Sequence, residues 1–179
     1  PQEKTAFLAK EAIRDSNIRE LAFIDNQSIY YGANGKTISL PEREYVQRAL
    51  GGHNFISEPY VSKSNNSLVI TVSVPIYDDN HAIIGVLLAS VEAAALSHDI
   101  EDIVVGQTGY CYILGLTGTT IAAKDFARVK AMENVIKMAE TDKSLASLAA
   151  FEKMAVEIDE PSIDFYTYKG INKIASHAT

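Results

Sequence analysis

From Leu68 to Val74 the apolar residues Leu68, Ile70, Val72 and Val74 alternate with Val69, Thr71 and Ser73. A period of two is the signature of a strand with one face in a core and the other facing a more polar environment. Asp78-Asp79-Asn80 follows as a turn, and Ala82 to Val91 returns almost wholly apolar, which predicts a central strand of an antiparallel sheet. Pro75 is expected to mark the end of the first of these strands, where a missing N–H is tolerated. A chain holding this hairpin must cover it, so a mixed fold of helices on antiparallel sheet is the expectation. The apolar run is halted by Glu92 and Ser97, well short of the ~20 residues that a bilayer span needs.

Upstream, Phe7, Leu8, Ala12 and Ile13 are spaced for one apolar side of a helix running from Glu3 to Arg19. Leu21 to Ile24 and Ile29 to Tyr31 read as a hairpin about Asp25-Asn26-Gln27-Ser28. Ser39-Leu40-Pro41-Glu42 has the form of a capping box, which predicts a short helix from Pro41 to Leu50 stopped by Gly51-Gly52. The second half repeats the order: strands at Tyr110 to Leu114 and Thr119 to Ala122 around Gly115 to Gly118, with Ile113 placed as Ile24 is in the first half. A helical region from about Val129 to Glu157, broken near Thr141-Asp142, precedes a last hairpin, Asp164 to Tyr168 and Ile171 to Ala175, about Lys169-Gly170. Ala93 to Val105 is a weakly helical linker.

The expected organisation is an N-terminal helix (1–20), a first module (21–95), a linker (96–105) and a second module (106–179) that stops before its last strand. The chain begins Pro1-Gln2 without a basic leader, as a segment cut from a longer polypeptide would.

With 179 residues, 47% of them hydrophobic, disorder is excluded. A net charge of -7 leaves no basic surface to neutralise a phosphate backbone, so nucleic acid is not an expected partner. One cysteine forms no intramolecular disulfide, and Cys111 reads as a small core residue of an apolar strand. His53, His81, His98 and His177 lack metal-ligand spacing, so neither a metal nor a cofactor is expected. Asp78-Asp79 is simpler as a turn than as an acid pair. No phosphate loop, nucleophile elbow or zinc-protease motif occurs, and no enzymatic activity is expected.

Several spaced motifs together carry a resemblance. Arg43-Glu44-Tyr45-Val46-Gln47-Arg48-Ala49-Leu50-Gly51-Gly52, Ile56-Ser57-Glu58-Pro59-Tyr60-Val61-Ser62, Val74-Pro75-Ile76-Tyr77-Asp78 and Ile84-Gly85-Val86-Leu87 resemble the membrane-distal half of a double Cache domain. Gly106 to Leu114 resembles the start of its membrane-proximal half. The resemblance implies an α+β fold with a long N-terminal helix and two PAS-like antiparallel-sheet modules. It implies an extracytoplasmic sensor of a bacterial transmembrane signalling protein, foremost a methyl-accepting chemotaxis receptor, with a small ligand in the distal module. The alternatives are the sensor of a histidine kinase or diguanylate cyclase, or a dimerisation or interaction ectodomain without a small ligand.

In the amino-acid-sensing members that this chain resembles, an Arg followed by two aromatics and a Tyr after Glu-Pro meet the ligand carboxylate, and an Asp after Gly-Val-Leu meets its amine. Arg43 and Tyr60 match, and Tyr45 stands for a Trp. Val46 replaces an aromatic, Ser90 replaces the Asp, and Ile38 lies near the place of an upstream Tyr. Without a carboxylate at position 90, an ammonium group lacks its strongest partner there. The expected ligand site is Arg43, Tyr45, Tyr60, Ser62 and Ser90, taking a small carboxylate or amino-acid-like metabolite between the distal sheet and the segment from Tyr31 to Ser64. The second module is not expected to hold the principal ligand, because Tyr110 to Ala122 offers strand residues and turn glycines without an arginine comparable to Arg43. The resemblance also implies a homodimeric receptor that reaches the membrane only through helices outside this fragment.

Overall fold

The computed structural model describes residues 2–62 and 66–178, so Ser64, the expected end of the ligand-covering segment, lies outside them. The chain divides into two compact units, Pro1–Leu96 and Ser97–Thr179.

The first unit is built on a seven-stranded antiparallel sheet. Its strands are β1 (Ile18–Asp25), β2 (Ile29–Gly32), β3 (Thr37–Ser39), β4 (Phe55–Ile56), β5 (Tyr60–Val61), β6 (Leu68–Tyr77) and β7 (Ile83–Glu92). They lie in the order β3-β2-β1-β7-β6-β4, with β5 also pairing β6. The nearly all-apolar β7 is central, flanked by β1 and β6, as its composition requires. Asp25 and Asp78 make the turns in the same way: the Oδ1 of each accepts backbone N–H groups of the residues two and four further on.

Helix α1 (Gln2–Ala12) lies on one face of this sheet, with Leu8 packed against Leu21 and Phe23. Lys4 Nζ sits 3.8 Å over the Phe23 ring. Helix α2 (Glu44–Leu50) covers the other face, where Val46 and Ala49 meet Ala22, Ile24, Val86 and Leu88. Side chains alternate along β1, so Glu20, Ala22 and Ile24 share the α2 face.

Three local expectations are corrected. The first helix ends at Ala12, not Arg19: Asp15 Oδ1 accepts from Asn17 N–H in a turn, and Arg19 is already in β1, 2.7 Å from Glu92. Phe7 and Ile13 accordingly stand exposed while Leu8 and Ala12 pack. Ser39 is no cap, because its backbone is held in β3 opposite Ile29; α2 starts two residues after Glu42 with Arg43 as its N-cap, which makes no side-chain capping bond. Pro75 does not end β6 but pairs with Val86 inside it. Thr71 N–H donates to Ser57 Oγ, away from β7, and residues 73 and 75 follow at the strand period. The missing N–H of Pro75 therefore points past Phe55, the last partner on that side, where no ladder bond is lost.

Helix α3 (Ala93–Glu101) leads into the second unit. There β8 (Val104–Val105) pairs β9 (Gly109–Tyr110), β10 (Tyr112–Leu114) pairs β11 (Thr120–Ala123), and β12 (Ser162–Tyr168) pairs β13 (Ile171–His177). Among the described residues these are three separate two-stranded ladders rather than one sheet. The run from Tyr110 to Leu114 is interrupted at the half-buried Cys111, whose Sγ points to the Tyr112 carbonyl. The helical region begins earlier than expected, with α4 (Phe126–Lys130), and is broken twice before α6 (Ala146–Glu157). Met132 has φ 49°, and Asn134 then caps α5 (Val135–Met138) by accepting from Lys137 N–H. Lys169 and Gly170, both at positive φ, close the last hairpin, with Tyr166 and Tyr168 on its α6 side against Leu148 and Phe151.

Candidate functional site

In the first unit a cavity of about 180 Å³ is walled by Glu20, Tyr30, Lys36, Tyr60, Ser62 and Ser90, together with others that include Ala12 of α1 and Leu21. Its polar groups are linked. The buried Tyr30 donates its hydroxyl to Glu20 Oε1 at 2.5 Å. Tyr60 Oη and Thr71 Oγ1 are 2.7 Å apart, and Thr71 Oγ1 is 3.0 Å from Ser90 Oγ. Ser57 exchanges bonds with the Thr71 backbone through its own N–H and Oγ, which holds the Glu58-Pro59-Tyr60 segment against β6. Ser73 Oγ donates to the Tyr45 carbonyl and ties α2 to the same strand.

Three of the five expected residues, Tyr60, Ser62 and Ser90, therefore meet on one cavity wall. Arg43 and Tyr45 are not on it. They stand at the start of α2, where Tyr45 is within electrostatic range of Arg43 and of the cavity residues Tyr60 and Glu20. Burial pushes the Tyr45 phenol up, Arg43 opposes the shift, and Tyr60 and Glu20 add to it. Burial likewise pushes Tyr30 far up, aided by Glu20, Tyr45 and Tyr60, so it keeps its proton and acts as donor. The exposed Arg43 side chain has no ion pair among the described residues.

Two cavity residues escaped the sequence reading. Glu20 had been placed at the end of a helix region, and only the register of β1 against β7, Glu20 opposite Ser90, brings it to the site. Tyr30, read as a plain strand residue, is the group that orients it.

The second unit holds a larger cavity, about 490 Å³, walled by Tyr110, Tyr112, Tyr166 and Tyr168 with Lys124, Arg128 and Lys169. Its arginine, Arg128, lies outside the stretch from Tyr110 to Ala122 on which the expectation for this module rested. Arg128 Nε donates to Glu133 Oε1 at 2.5 Å, its guanidinium lies 3.8 Å from Glu152, and it rests over the Tyr112 ring. Glu152 is fully buried and neither of its oxygens has a hydrogen bond of normal geometry. Burial pushes its carboxyl up to about 7, against the lowering effect of Arg128 and the nearby Tyr112 hydroxyl. Arg128 is therefore ion-paired with two acids of its own unit, whereas among the described residues neither Arg43 nor Glu20 forms an ion pair. That difference, rather than volume, makes the smaller cavity the candidate site.

Among the described residues no group of three or more His, Cys, Asp or Glu side chains could hold a metal ion, and no helix is long and apolar enough to cross a membrane.

Comparison with known proteins agrees on one family. The methyl-accepting chemotaxis protein McpB of Bacillus subtilis (strain 168) is 30% identical over 111 residues, 54% of this chain and 16% of McpB. Among solved structures, the ligand-binding domain of the Campylobacter jejuni chemoreceptor Tlp3 in complex with 4-methylisoleucine superposes with a TM-score of 0.59 at 15% identity, over 97% of this chain and 65% of that one. That of the Pseudomonas fluorescens chemoreceptor CtaA in complex with L-serine gives 0.62 at 13% identity, over 97% and 70%. The chain spans less than two thirds of Tlp3's domain and a small part of McpB. The model of the Cache domain family dCache_1 matches residues 2–179, and the chain belongs to that family.

Proposed function

We propose that the chain is the extracytoplasmic sensor domain of a methyl-accepting chemotaxis receptor, and that its first unit, the membrane-distal module, binds a small carboxylate or amino-acid-like metabolite. The observation that carries this reading is the wall of the 180 Å³ cavity, where Tyr60, Ser62 and Ser90 converge, with Arg43 at the start of α2 unpaired with any acid among the described residues. A sheet face shaped only for packing would carry apolar side chains there, as it does at Ala22, Ile24, Val86 and Leu88. The cavity suits a metabolite of few heavy atoms. The solved neighbours whose complexes contain 4-methylisoleucine and L-serine support the same class.

In this reading Arg43 takes the ligand carboxylate, with Tyr45 and Tyr60 beside it, and Ser62 and Ser90 offer hydroxyls. No chemistry is performed. Binding shifts the module between two packings by the difference in affinity for them, and the signal leaves through helices beyond this fragment in a dimeric receptor. A thermal-shift screen of small carboxylates and amino acids tests the proposal. A ligand at ~100 times its Kd raises unfolding stability by ~2.7 kcal/mol, and a screen in which no member of either class raises the melting temperature refutes it.

A further inference from the structure

We infer that the cavity of the second unit is a ligand site of its own, built for a small aromatic carboxylate that carries no ammonium group. This goes beyond the sensor reading above, which concerns the first unit alone, and is tested separately from it.

The walls are the first argument. Four of the nine tyrosines in the chain, Tyr110, Tyr112, Tyr166 and Tyr168, line this one cavity of about 490 Å³. A cavity of ~150 Å³ already takes a benzene ring, so there is room here for a ring with a short carboxylate-bearing arm. A flat ring gains from aromatic neighbours at centroid separations of about 4.5 to 7 Å, and Tyr110 and Tyr112 keep such a spacing from one another, 6.3 Å. Tyr166 is stacked on Phe151, which fixes its ring, while its hydroxyl makes no hydrogen bond among the described residues. Burial pushes that phenol up, so it is a half-buried donor in need of an acceptor.

Charge is the second. In a chain of net charge -7 this wall carries the cations Lys124, Arg128 and Lys169 against the acids Asp125 and Glu133. Both acids are engaged: Glu133 accepts from Arg128 Nε, and Asp125 Oδ1 caps α4 by accepting from Ala127 N–H. The ion pairs among the described residues include neither Lys124 nor Lys169. Lys169 Nζ lies 5.2 Å from the centre of the Tyr168 ring, and Lys173 Nζ lies 5.6 Å from that ring and 5.8 Å from the ring of Tyr110. The cations of the unit itself thus stand at the tyrosine faces that would draw a ligand ammonium group, and their field favours an anion.

The third is a guanidinium held in one place. Arg128 Nε donates to Glu133, Nη2 lies 3.8 Å from Glu152 Oε1, beyond hydrogen-bond distance, and the group rests 4.9 Å over the Tyr112 ring. An arginine has five N–H donors, and among the described residues only the one on Nε is spent in a hydrogen bond. The two acids therefore fix the fork without filling it, and its Nη groups remain for a carboxylate. Ion pairing removes most of the net charge of Arg128 but makes it a rigid donor, and the two lysines supply the charge.

The test titrates benzoate, phenylacetate and 3-phenylpropionate into the whole chain and follows the amide NMR shifts of the second unit, residues 97–179. The alcohol 3-phenylpropanol and L-phenylalanine serve as the uncharged and the ammonium-bearing counterparts of 3-phenylpropionate. At least one acid should shift second-unit amides in a saturable way, and each counterpart should bind there at least about tenfold more weakly than the acid. Lys124→Gln/Lys169→Gln, at two exposed positions, should weaken the acid about tenfold, and Arg128→Lys, which keeps the charge but loses the fork, should weaken it too. Melting without ligand checks that both variants are folded, and the mapping on the wild type needs no variant. Shifts confined to residues 1–96, or none with any acid, overturn the proposal. So does equal binding of a counterpart, or an acid that binds both variants as it binds the wild type. Each of these results leaves the sensor reading of the first unit standing.

Discussion

Thr71 Oγ1 and Ser90 Oγ, both buried, lie 3.0 Å apart across β6 and β7, and Thr71 passes the contact on to Tyr60. The chain of hydroxyls ties the floor of the cavity to the loop that walls it. Ser90→Ala should cost about 1 kcal/mol, the usual worth of a buried neutral hydrogen bond. Tyr60→Phe, at a half-exposed ring, should cost less. Urea unfolding of both variants measures the difference, and a Ser90→Ala protein as stable as the wild type would show that the contact is dispensable.

Arg43→Ala should leave stability within about 0.5 kcal/mol, because among the described residues the exposed side chain makes no capping bond and no ion pair, and alanine keeps the backbone carbonyl that starts α2. It should weaken a carboxylate ligand ten- to a hundredfold, the range of a charge-assisted bond worth about 1.5 to 3 kcal/mol. Retention of the full ligand-induced melting shift would remove Arg43 from the site.

Gly85 sits between Asp25 and Ile76 in the middle of the sheet. A Cβ there would lie 2.5 Å from the Ile24 carbonyl oxygen and 2.5 Å from a Phe23 ring carbon, backbone and core that cannot move aside freely. Gly85→Ala should lose about 1 to 3 kcal/mol, the range for overpacking a core. Calorimetric melting would show it, and a variant melting with the wild type would mean that β1 and β7 separate more easily than their ladder implies.

Stability should depend on pH through Glu152. Its carboxyl is pushed up to about 7 by burial, from an ordinary value of 4.5, with Arg128 and Tyr112 opposing and Glu133 adding slightly. Because the folded value is the higher one, the unfolded chain gives up its proton first as pH rises. The contribution is fully present below about pH 4.5 and is lost through the window up to about 7, a few kcal/mol at most. Other acids titrate in the same range, so the readout is the wild type compared with Glu152→Gln at each pH. The wild type should lose stability relative to the variant across that window, and parallel curves would contradict the assignment.

The strands were legible in the sequence wherever periodicity and turn chemistry coincide. The alternation of Leu68 to Val74, the unbroken apolar run of Ala82 to Val91 and the side chains of Asp25 and Asp78 specify a hairpin-rich sheet with β7 at its centre. These signals are local: each is carried by a few neighbouring residues whose backbone preferences agree. Helix limits were less legible, because competition between local bonds decided them. Asp15 turned the chain before Arg19, and the β2–β3 ladder claimed Ser39 before it could cap α2.

Within the candidate site, the resemblance of short motifs pointed to Arg43, Tyr45, Tyr60 and Ser90, and Ser62 was named as a nearby hydroxyl. Glu20 could not be named in that way. It joins Ser90 only through the register of two strands far apart in sequence, and a shift of one residue would turn it to the α1 face. Arg128 was hidden for a related reason: nothing in the stretch from Ala123 to Glu133 shows that Glu152, a full helix away, will be buried behind it. The sequence alone settled the longer hairpin strands and where they turn, but not the short strands β3, β4, β5 and β8. Register and burial, which exist only once the strands have paired and the core has closed, decided which charges face one another and which are left free to meet a ligand.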